Sequence, residues 1–251
     1  SLHDALPILL ILSIDAGTTG VTAQLVNQSG AAVGRGYSEF EQHFPKPGWV
    51  EHLPEQIWQA TLVAVRGALA SGNEGAGVSA AEVTAIGITN QRETVAVWDR
   101  QTLESPCPAI VWQDRRTADI LSDVKFADAA ERVRQSTGLP LDPYFSSSKL
   151  LWIKRNLPDV WAGVESGRFA LGTIDAYLLA RISGGAVHAT DAANASRTQL
   201  MNIHTLQWDA ELCELFEVPV SALPVIRANV GHFGDSAADK FLGISAPVTG
   251  M

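Results

Sequence analysis

The sequence predicts a mixed α/β layer fold, in which helices flank a sheet. Patterns along the chain run in the order strands, one helix, further strands and then mainly helices, which is typical of such layers. Hydrophobic residues make up 46% of the 251 positions, which is enough to form a buried core. At this length the chain can hold one large domain or two small ones.

Three strands open the pattern. Leu9–Asp15 is an apolar run, Thr22–Asn27 alternates between apolar and polar residues, and Ala31–Phe40 follows the turn QSG. Tight turns between such runs predict an antiparallel meander. Residues 1–8 lack an initiator methionine and fit no pattern, so we interpret them as a non-native or disordered leader.

A long helix and three further strands follow. The loop HFPKPGWVEHLP ends at Pro54, which suits the first turn of a helix, and apolar residues then repeat at helical spacing until Gly72. The β-branched and aromatic residues of Val83–Ile88, Thr94–Trp98 and Ala109–Val111 predict strands.

The rest of the chain is predicted to be mainly helical. We expect helices from about Arg116 and over residues 128–137, 146–157, 173–183 and 209–216. Ser146 is a candidate N-cap for the third of these. The last segment, 224–251, contains the strand-like runs PVIRANVGHF and SAPVTG.

Charge and composition argue against several classes of protein. The net charge is −9 with scattered Lys and Arg, which disfavours nucleic acid and anionic membrane surfaces as partners. The N-terminal apolar run is far too short to span a bilayer. The two cysteines have no CxxC spacing and fit a reducing compartment such as the cytoplasm, and the six histidines form no zinc motif. The oligomeric state stays open.

A glycine turn with two threonines, SIDAGTTG, follows the first strand. Gly17 lets the backbone approach a phosphate, and the hydroxyls of Thr18 and Thr19 can donate to phosphate oxygens. Asp15 offers a hard oxygen for Mg²⁺ or its waters. The turn leads into a strand and lacks GxxxxGK[ST], so it is not a Walker P-loop. On spacing alone, a hairpin turn with an aspartate cap explains it equally well.

The loop of ITNQRET sets Arg92 beside Glu93. Arginine only donates hydrogen bonds and an ionised glutamate only accepts them, so on a turn the two can converge on a polyol, whose hydroxyls do both. The alternative is a hairpin tip with a surface ion pair, and it is the better reading of this loop taken alone.

Two aromatic residues add to this set. Trp112, after a short strand, can cover the C–H side of a polyol or fill the core. Tyr144, in the Pro/Asp loop of GLPLDPYFSSSK, can reach a hydroxyl or plug the loop.

Taken together, these segments resemble the glycerol kinases of the FGGY carbohydrate kinase family. The resemblance runs in order from about Leu9 to Met251 and is carried by the segments DAGTT, PKPGWVEH, GITNQRET, IVWQDRRT, GLPLDPYFSSSK, GTIDAYL, TDAANASRT and NIHTLQWD. It implies an actin-like ATPase fold built of two ribonuclease-H-like domains around a cleft. Residues 9–251 would form the first domain, with the second domain absent from this chain.

The resemblance also implies roles for individual residues. Glycerol would be held by Arg92, Glu93, Trp112 and Tyr144. ATP and its product ADP would be bound through their phosphates by the loop residues Gly17, Thr18, Thr19 and Gly20, with Asp15 at the Mg²⁺. The catalytic base would be an aspartate of a GDQQ segment just after Met251, so we expect no catalytic residue in this chain and no activity of the chain alone.

The sequence departs from the family pattern at several places. Gly20-Val21-Thr22 replaces a common Ser-x-Arg, which removes an arginine contact to the nucleotide. Leu53 stands where an aspartate would cap the helix, Ala16 replaces a common glutamine, and Asp114 replaces a common cysteine. The segment GDSAADKFLGISAPVTG lacks the Gly pair and Arg of a fructose 1,6-bisphosphate loop, so we expect no such regulation. A kinase of another polyol or ketose, or a non-catalytic actin-like nucleotide-binding module, is the competing interpretation.

Overall fold

Two main sheets, of six and four strands, and two small two-stranded sheets lie within residues 9–251, the part of the chain that the computed structural model of this protein describes. The strands are β1 Leu10–Ala16, β2 Gly20–Val26, β3 Ala32–Glu39, β4 Glu51–His52, β5 Val83–Asn90, β6 Val95–Asp99, β7 Ala109–Ile110, β8 Phe169–Thr173, β9 Ala189–Asp191, β10 Met201–Asn202, β11 Gln207–Trp208, β12 Val225–Arg227, β13 Val230–Asp235 and β14 Pro247–Gly250. The helices are α1 Pro54–Ser71, α2 Ala118–Leu121, α3 Val124–Thr137, α4 Ser146–Asn156, α5 Pro158–Glu165, α6 Ile174–Ile182, α7 Ala192–Ala195 and α8 Ala210–Leu215. The leader proposed for residues 1–8 lies outside the described residues.

The larger sheet has six strands in the order β13-β14-β5-β1-β2-β3. β1, β2 and β3 pair antiparallel in sequence order, so the predicted meander is confirmed. β1 also pairs in parallel with β5, which places the carboxyl ends of the two strands at one edge. Burial alternates along β1, with Leu12 and Ile14 inside and Asp15 on the exposed face.

The second sheet has the order β4-β7-β6-β8 and lies between two hydrophobic cores, with alternate residues of β6 in each. All five residues of β6 are buried, so this strand is covered on both faces. β5 and β6 lie in different sheets, and the loop between them is therefore a crossover. The alternative reading of this loop as a hairpin tip is wrong.

Helix α1 packs against β3 with almost no side chain between the two backbones. A Cβ atom added to Gly36 of β3 would lie 2.0 Å from the carbonyl oxygen of Ala64 in α1. The helix begins at Pro54, and Leu53 at its N-cap makes no side-chain capping bond, as the sequence predicts. The position of α1 over the meander therefore depends on a glycine in the strand.

Gly36→Ala is expected to lower the free energy of unfolding by about 1–3 kcal/mol, because the new methyl group overpacks against helix backbone that cannot move away alone. Gly87→Ala in β5 is the matched control, since its added Cβ would have no atom within 4 Å. Urea unfolding followed by circular dichroism measures both. Equal stability of the two variants would contradict this account of the α1–β3 contact.

Helices α4, α6 and α8 lie where the sequence predicts them, within one residue at each end. α3 begins at Val124, four residues earlier than the predicted 128, because the Asp123 side chain caps it by accepting a hydrogen bond from the N–H of Lys125. Strand β8 and helix α5 are not among the predicted elements.

Within residues 9–251 no helix is long and apolar enough to cross a membrane.

Candidate functional site

Two loops meet where the parallel strands β1 and β5 end. The backbone N–H of Gln91 donates to the carbonyl oxygen of Ala16 at 2.8 Å, and its side-chain Nε2 donates to the carbonyl oxygen of Gly17 at 3.2 Å. The threonine turn and the crossover loop are thus joined by two hydrogen bonds from one residue. Sequence reasoning missed Gln91, although it stands in the loop motif beside Arg92.

A buried histidine holds Gln91 from the other side. His52 lies with Nδ1 3.1 Å from Gln91 Nε2 and with Nε2 2.6 Å from Gln42 Oε1. Burial, with a smaller effect of nearby His43, lowers the pKa of His52 to about 4, so the ring is neutral at pH 7. Because Gln42 Oε1 only accepts, the ring proton lies on Nε2, and Nδ1 accepts from Gln91.

The threonine turn exposes most of its polar groups. Asp15 and Thr19 are exposed, and Gly17 and Thr18 are half-buried. Gly20 is buried, and an added Cβ there would lie 2.7 Å from the carbonyl oxygen of Ser38 in β3, so its glycine is required by strand packing. The exposed part of the turn is open to an oxyanion.

Trp112 connects this turn to the aromatic residues of the site. Its indole Nε1 donates to Thr18 Oγ1 at 3.0 Å, and its ring centroid lies 5.4 Å from that of Tyr144, with the ring planes at 59°. Because a hydroxyl both accepts and donates, the Thr18 proton stays available for another acceptor. Trp112 is half-buried and lies at the site, which disfavours its reading as a core residue.

The crossover loop makes a tight turn at Glu93. This residue has φ of 64°, and the N–H of Thr94 donates to the carbonyl oxygen of Arg92 at 2.8 Å across it. The Glu93 side chain is only 4% exposed, and its Oε1 accepts a hydrogen bond from Arg197 Nε at 2.7 Å. A surface ion pair between Arg92 and Glu93 is therefore wrong, since the partner of Glu93 is Arg197.

Arg92 lies at the tip of this loop and is exposed. Its guanidinium makes no hydrogen bond or ion pair with another side chain in the described part of the chain.

Ser146, predicted as a helix N-cap, is instead the first residue of α4, and Phe145 occupies the cap. The Ser146 hydroxyl donates to the carbonyl oxygen of Glu93 at 2.9 Å, so it fixes the crossover loop rather than the helix end.

A buried lysine holds the loop that carries Tyr144. Lys149 Nζ donates to the carbonyl oxygens of Pro143, Tyr144 and Phe145 at 2.5, 2.8 and 3.1 Å. Burial lowers the pKa of Lys149 to about 7, and nearby carboxylates, Asp114 first, oppose this shift. The lysine was missed by sequence reasoning, although a charged residue within the buried run SSSKLL is the signal that could have found it.

Asp114, one of the departures from the family pattern, anchors the segment after Trp112. Its carboxylate accepts from the Arg116 guanidinium at 2.7–3.0 Å and from the N–H of Val50 at 2.6 Å. The Arg116 guanidinium in turn lies 3.7 Å from the centroid of the Trp49 ring. This network fixes the segment that presents Trp112 beside the threonine turn.

The metal assignment depends on Asp15. Within residues 9–251 no three His, Cys, Asp or Glu side chains cluster as a metal site. Asp15 is an exposed carboxylate that makes no side-chain hydrogen bond in the described part of the chain, and it lies at the strand end that leads into the threonine turn. One carboxylate with waters and substrate phosphates is a coordination that suits Mg²⁺.

In this α/β fold the threonine turn, residues 15–20, lies beside the loops that carry Arg92, Glu93, Trp112 and Tyr144, which together form the polar and aromatic cluster. The sequence profile described as the FGGY family of carbohydrate kinases, N-terminal domain, matches residues 10–250. The chain belongs to this family. The predicted α/β fold of the ribonuclease-H-like, actin-like ATPase type is confirmed.

Curated relatives narrow the comparison. The chain is 51% identical over 237 residues to a glycerol kinase of Bradyrhizobium diazoefficiens, which covers 94% of this chain and 46% of that protein. It is 48% identical over 242 residues to a glycerol kinase of Methylobacterium nodulans, and this match covers 96% of this chain and 47% of that protein. The chain therefore spans about half the length of the curated relatives it matches.

Solved structures agree with this assignment. The Plasmodium falciparum glycerol kinase with ADP has a TM-score of 0.87 and 33% identity, over 97% of this chain and 48% of that one. A xylulose kinase from Lactobacillus acidophilus has a TM-score of 0.82 at 22% identity, over 97% of this chain and 48% of that one. The second of these likenesses shows the shared fold alone.

Proposed function

We propose that this chain is the substrate-binding and phosphate-binding half of an ATP-dependent kinase that converts glycerol to glycerol 3-phosphate. The observation that carries the proposal is the hydrogen bond from Trp112 Nε1 to Thr18 Oγ1. This bond joins the polar and aromatic cluster, which would bind glycerol, directly to the threonine turn, which would bind phosphate. The glycerol kinases among its relatives support the choice of substrate.

The chemistry of the cluster suits a small neutral triol. The exposed guanidinium of Arg92 supplies donors, and the ionised carboxylate of Glu93 supplies an acceptor, whereas each hydroxyl of glycerol does both. The indole face of Trp112 would cover the carbon chain, and the phenol of Tyr144 would bond a hydroxyl. The phenolic Oη of Tyr144 makes no hydrogen bond within residues 9–251, so it is available for this contact.

The nucleotide would be bound at the turn that follows β1. The hydroxyls of Thr18 and Thr19 and the backbone of Gly17 and Gly20 would contact its phosphates. Asp15 would hold Mg²⁺ or its waters, and the metal would neutralise charge on the transferred phosphoryl group.

We also propose a cytoplasmic protein, because its two cysteines are unpaired and cytoplasmic thiols stay reduced.

Residues 9–251 would form one domain of the kinase, and a second domain would supply the adenine site and the catalytic base. The relatives are about twice as long, which supports this division. No side chain of this chain is proposed as the base that takes the proton of the attacking hydroxyl.

The 251-residue chain alone is expected to release no ADP in response to glycerol, because half a cleft cannot exclude water or align the phosphate. A coupled ADP-release assay with glycerol, ATP and Mg²⁺ measures this. Glycerol-dependent turnover that tracks the protein and disappears in Asp15→Asn would show that this chain contains a complete catalytic site.

The substrate assignment is tested on the full-length protein that contains this chain. The kcat/KM is measured for glycerol, xylulose, gluconate and propane-1,2-diol, and glycerol is expected to give the highest value. A higher value for a ketose or another polyol would replace glycerol as the substrate. Nucleotide binding without turnover on any of them would favour the non-catalytic module and overturn the proposal.

Trp112→Phe in the full-length protein should lower kcat/KM for ATP about three- to tenfold, because it keeps an aromatic face but removes one hydrogen bond to Thr18. Trp161→Phe is the control, since the buried Nε1 of Trp161 has no hydrogen-bond partner among residues 9–251. Steady-state kinetics with varied ATP provide the measurement. Equal values for the two variants would contradict a role for the Trp112–Thr18 bond.

A further inference from the structure

Glu93 is a nearly buried carboxylate whose orientation depends on a distant residue. Only 4% of its side chain is exposed, and Oε1 lies 2.7 Å from Nε of Arg197. Within residues 9–251, Oε2 accepts no hydrogen bond from another side chain. A buried carboxylate needs a charged or hydrogen-bonding partner such as the Arg197 guanidinium, because desolvation of an unpaired charge is costly.

Arg197 is itself held in place by the site. Its guanidinium lies 5.0 Å from the ring centroid of Phe145 and 5.8 Å from that of Tyr144. It follows the short helix α7, and in that helix Asn194 Oδ1 accepts from Asn90 Nδ2 at 3.1 Å. Asn90 ends β5, the strand that leads into the crossover loop. Arg197 and Glu93 are therefore tied to the same strand end.

A second constraint comes from Asp191, which caps α7. Its Oδ1 accepts from the N–H and the Nδ2 of Asn194 at 2.7 and 2.8 Å, and its Oδ2 accepts from Asn229 Nδ2 at 2.6 Å. This residue fixes the end of β9 against the segment between β12 and β13. The backbone that carries Arg197 thus has little freedom to follow a moving carboxylate.

We infer that Arg197 is a positioning residue. It holds Glu93 Oε1 by a hydrogen bond and leaves Oε2 to accept a hydrogen bond from one particular hydroxyl of the substrate. The inference rests on the proposed function and extends it to the choice between polyols. An analogue that lacks this hydroxyl would leave Oε2 of a nearly buried carboxylate without that hydrogen bond, so the enzyme would favour glycerol over the analogue. Without Arg197 the Glu93 carboxylate could rotate, and the preference of the enzyme for glycerol over such an analogue would be smaller.

The test uses the full-length protein and four variants: Arg197→Met, Arg197→Lys, Glu93→Gln and the double variant Arg197→Met/Glu93→Gln. Arg168→Met is the matched control, because Arg168 Nε makes an ion pair of the same 2.7 Å length with Asp99 Oδ2 outside the cluster. The KM and kcat are measured for glycerol, propane-1,2-diol and propane-1,3-diol, and the KM for ATP is measured separately. Thermal melting shows whether each variant is folded.

Arg197→Met is expected to raise the KM for glycerol about tenfold and to leave the KM for ATP within about twofold. The preference for glycerol over whichever diol lacks the hydroxyl read by Glu93 should fall at least threefold. Arg197→Lys should restore part of the loss, because an ammonium keeps the charge but lacks the planar fork. The double variant should be no worse than Glu93→Gln alone, since both act on one carboxylate.

Each other result has a defined meaning. If wild-type protein phosphorylates glycerol and Arg197→Met behaves like Arg168→Met, the proposed function stands and the positioning role is wrong. Additive losses in the double variant would show that Arg197 acts on something other than Glu93. If another polyol is the better substrate, the same ratios are measured with it and its deoxy analogues. Absence of turnover with every polyol would overturn the proposed function and this inference with it.

Discussion

Asp15→Asn in the full-length protein is expected to lower kcat by roughly a hundredfold while the KM for glycerol stays nearly unchanged. Asp15 lies on the exposed face of β1, opposite Thr22 of β2 and Thr89 of β5, and directly before the threonine turn. Phosphoryl transfer depends on positioning and on neutralising the developing charge, and loss of one preorganised electrostatic group there has an effect of about this size. Glycerol contacts would be unaffected.

The measurement is steady-state turnover over a Mg²⁺ titration, with Asp128→Asn on the exposed side of α3 as the control. Asparagine has the shape of aspartate and a neutral side chain, so the comparison isolates the charge. Normal kcat at every Mg²⁺ concentration would mean that Asp15 is not the carboxylate on the metal side.

Arg92→Ala is expected to raise the KM for glycerol about thirtyfold and to leave nucleotide binding nearly intact. The guanidinium is exposed and bonds no other side chain in residues 9–251, so its removal should cost little stability. Loss of charged hydrogen bonds to neutral hydroxyls would cost on the order of 2 kcal/mol, which corresponds to that factor.

Arg66→Ala is the control for this variant, because Arg66 is an exposed arginine on α1. Kinetics with varied glycerol at saturating ATP, and with varied ATP at saturating glycerol, separate the two effects. An unchanged KM for glycerol in Arg92→Ala would remove Arg92 from the substrate site. Equal losses for both substrates would indicate a general defect.

Much of the fold follows from local patterns. The meander and helix α1 carry strong periodicity and lie between glycine and proline turns, so they could be predicted within about two residues. Strand β8 could not, because four of the five residues of FALGT are buried and the run shows no alternation. Helix α5 could not be predicted either, because a proline that follows a helical run is typical of a helix end, whereas Pro158 is the first residue of a new helix.

The residue types of the site could also be predicted, but their partners could not. The donors of Arg92 and the acceptor of Glu93 follow from the sequence, and they suggested a polyol. The partner of Glu93 is Arg197, 104 positions away, and no local pattern encodes such a contact. The roles of Gln91 and Lys149 also depend on tertiary contacts, because each bonds backbone carbonyls of a loop that folds back on it.

The most direct test of the account is a crystal structure of the full-length protein with glycerol and ADP bound. We expect glycerol hydroxyls within hydrogen-bond distance of the Arg92 guanidinium and Glu93 Oε2, with the carbon chain against the Trp112 ring and a hydroxyl near Tyr144 Oη. Arg197 should remain on Glu93 Oε1. Glycerol bound elsewhere, or bound with no hydroxyl on Arg92 or Glu93, would contradict the assignment of this site to the substrate.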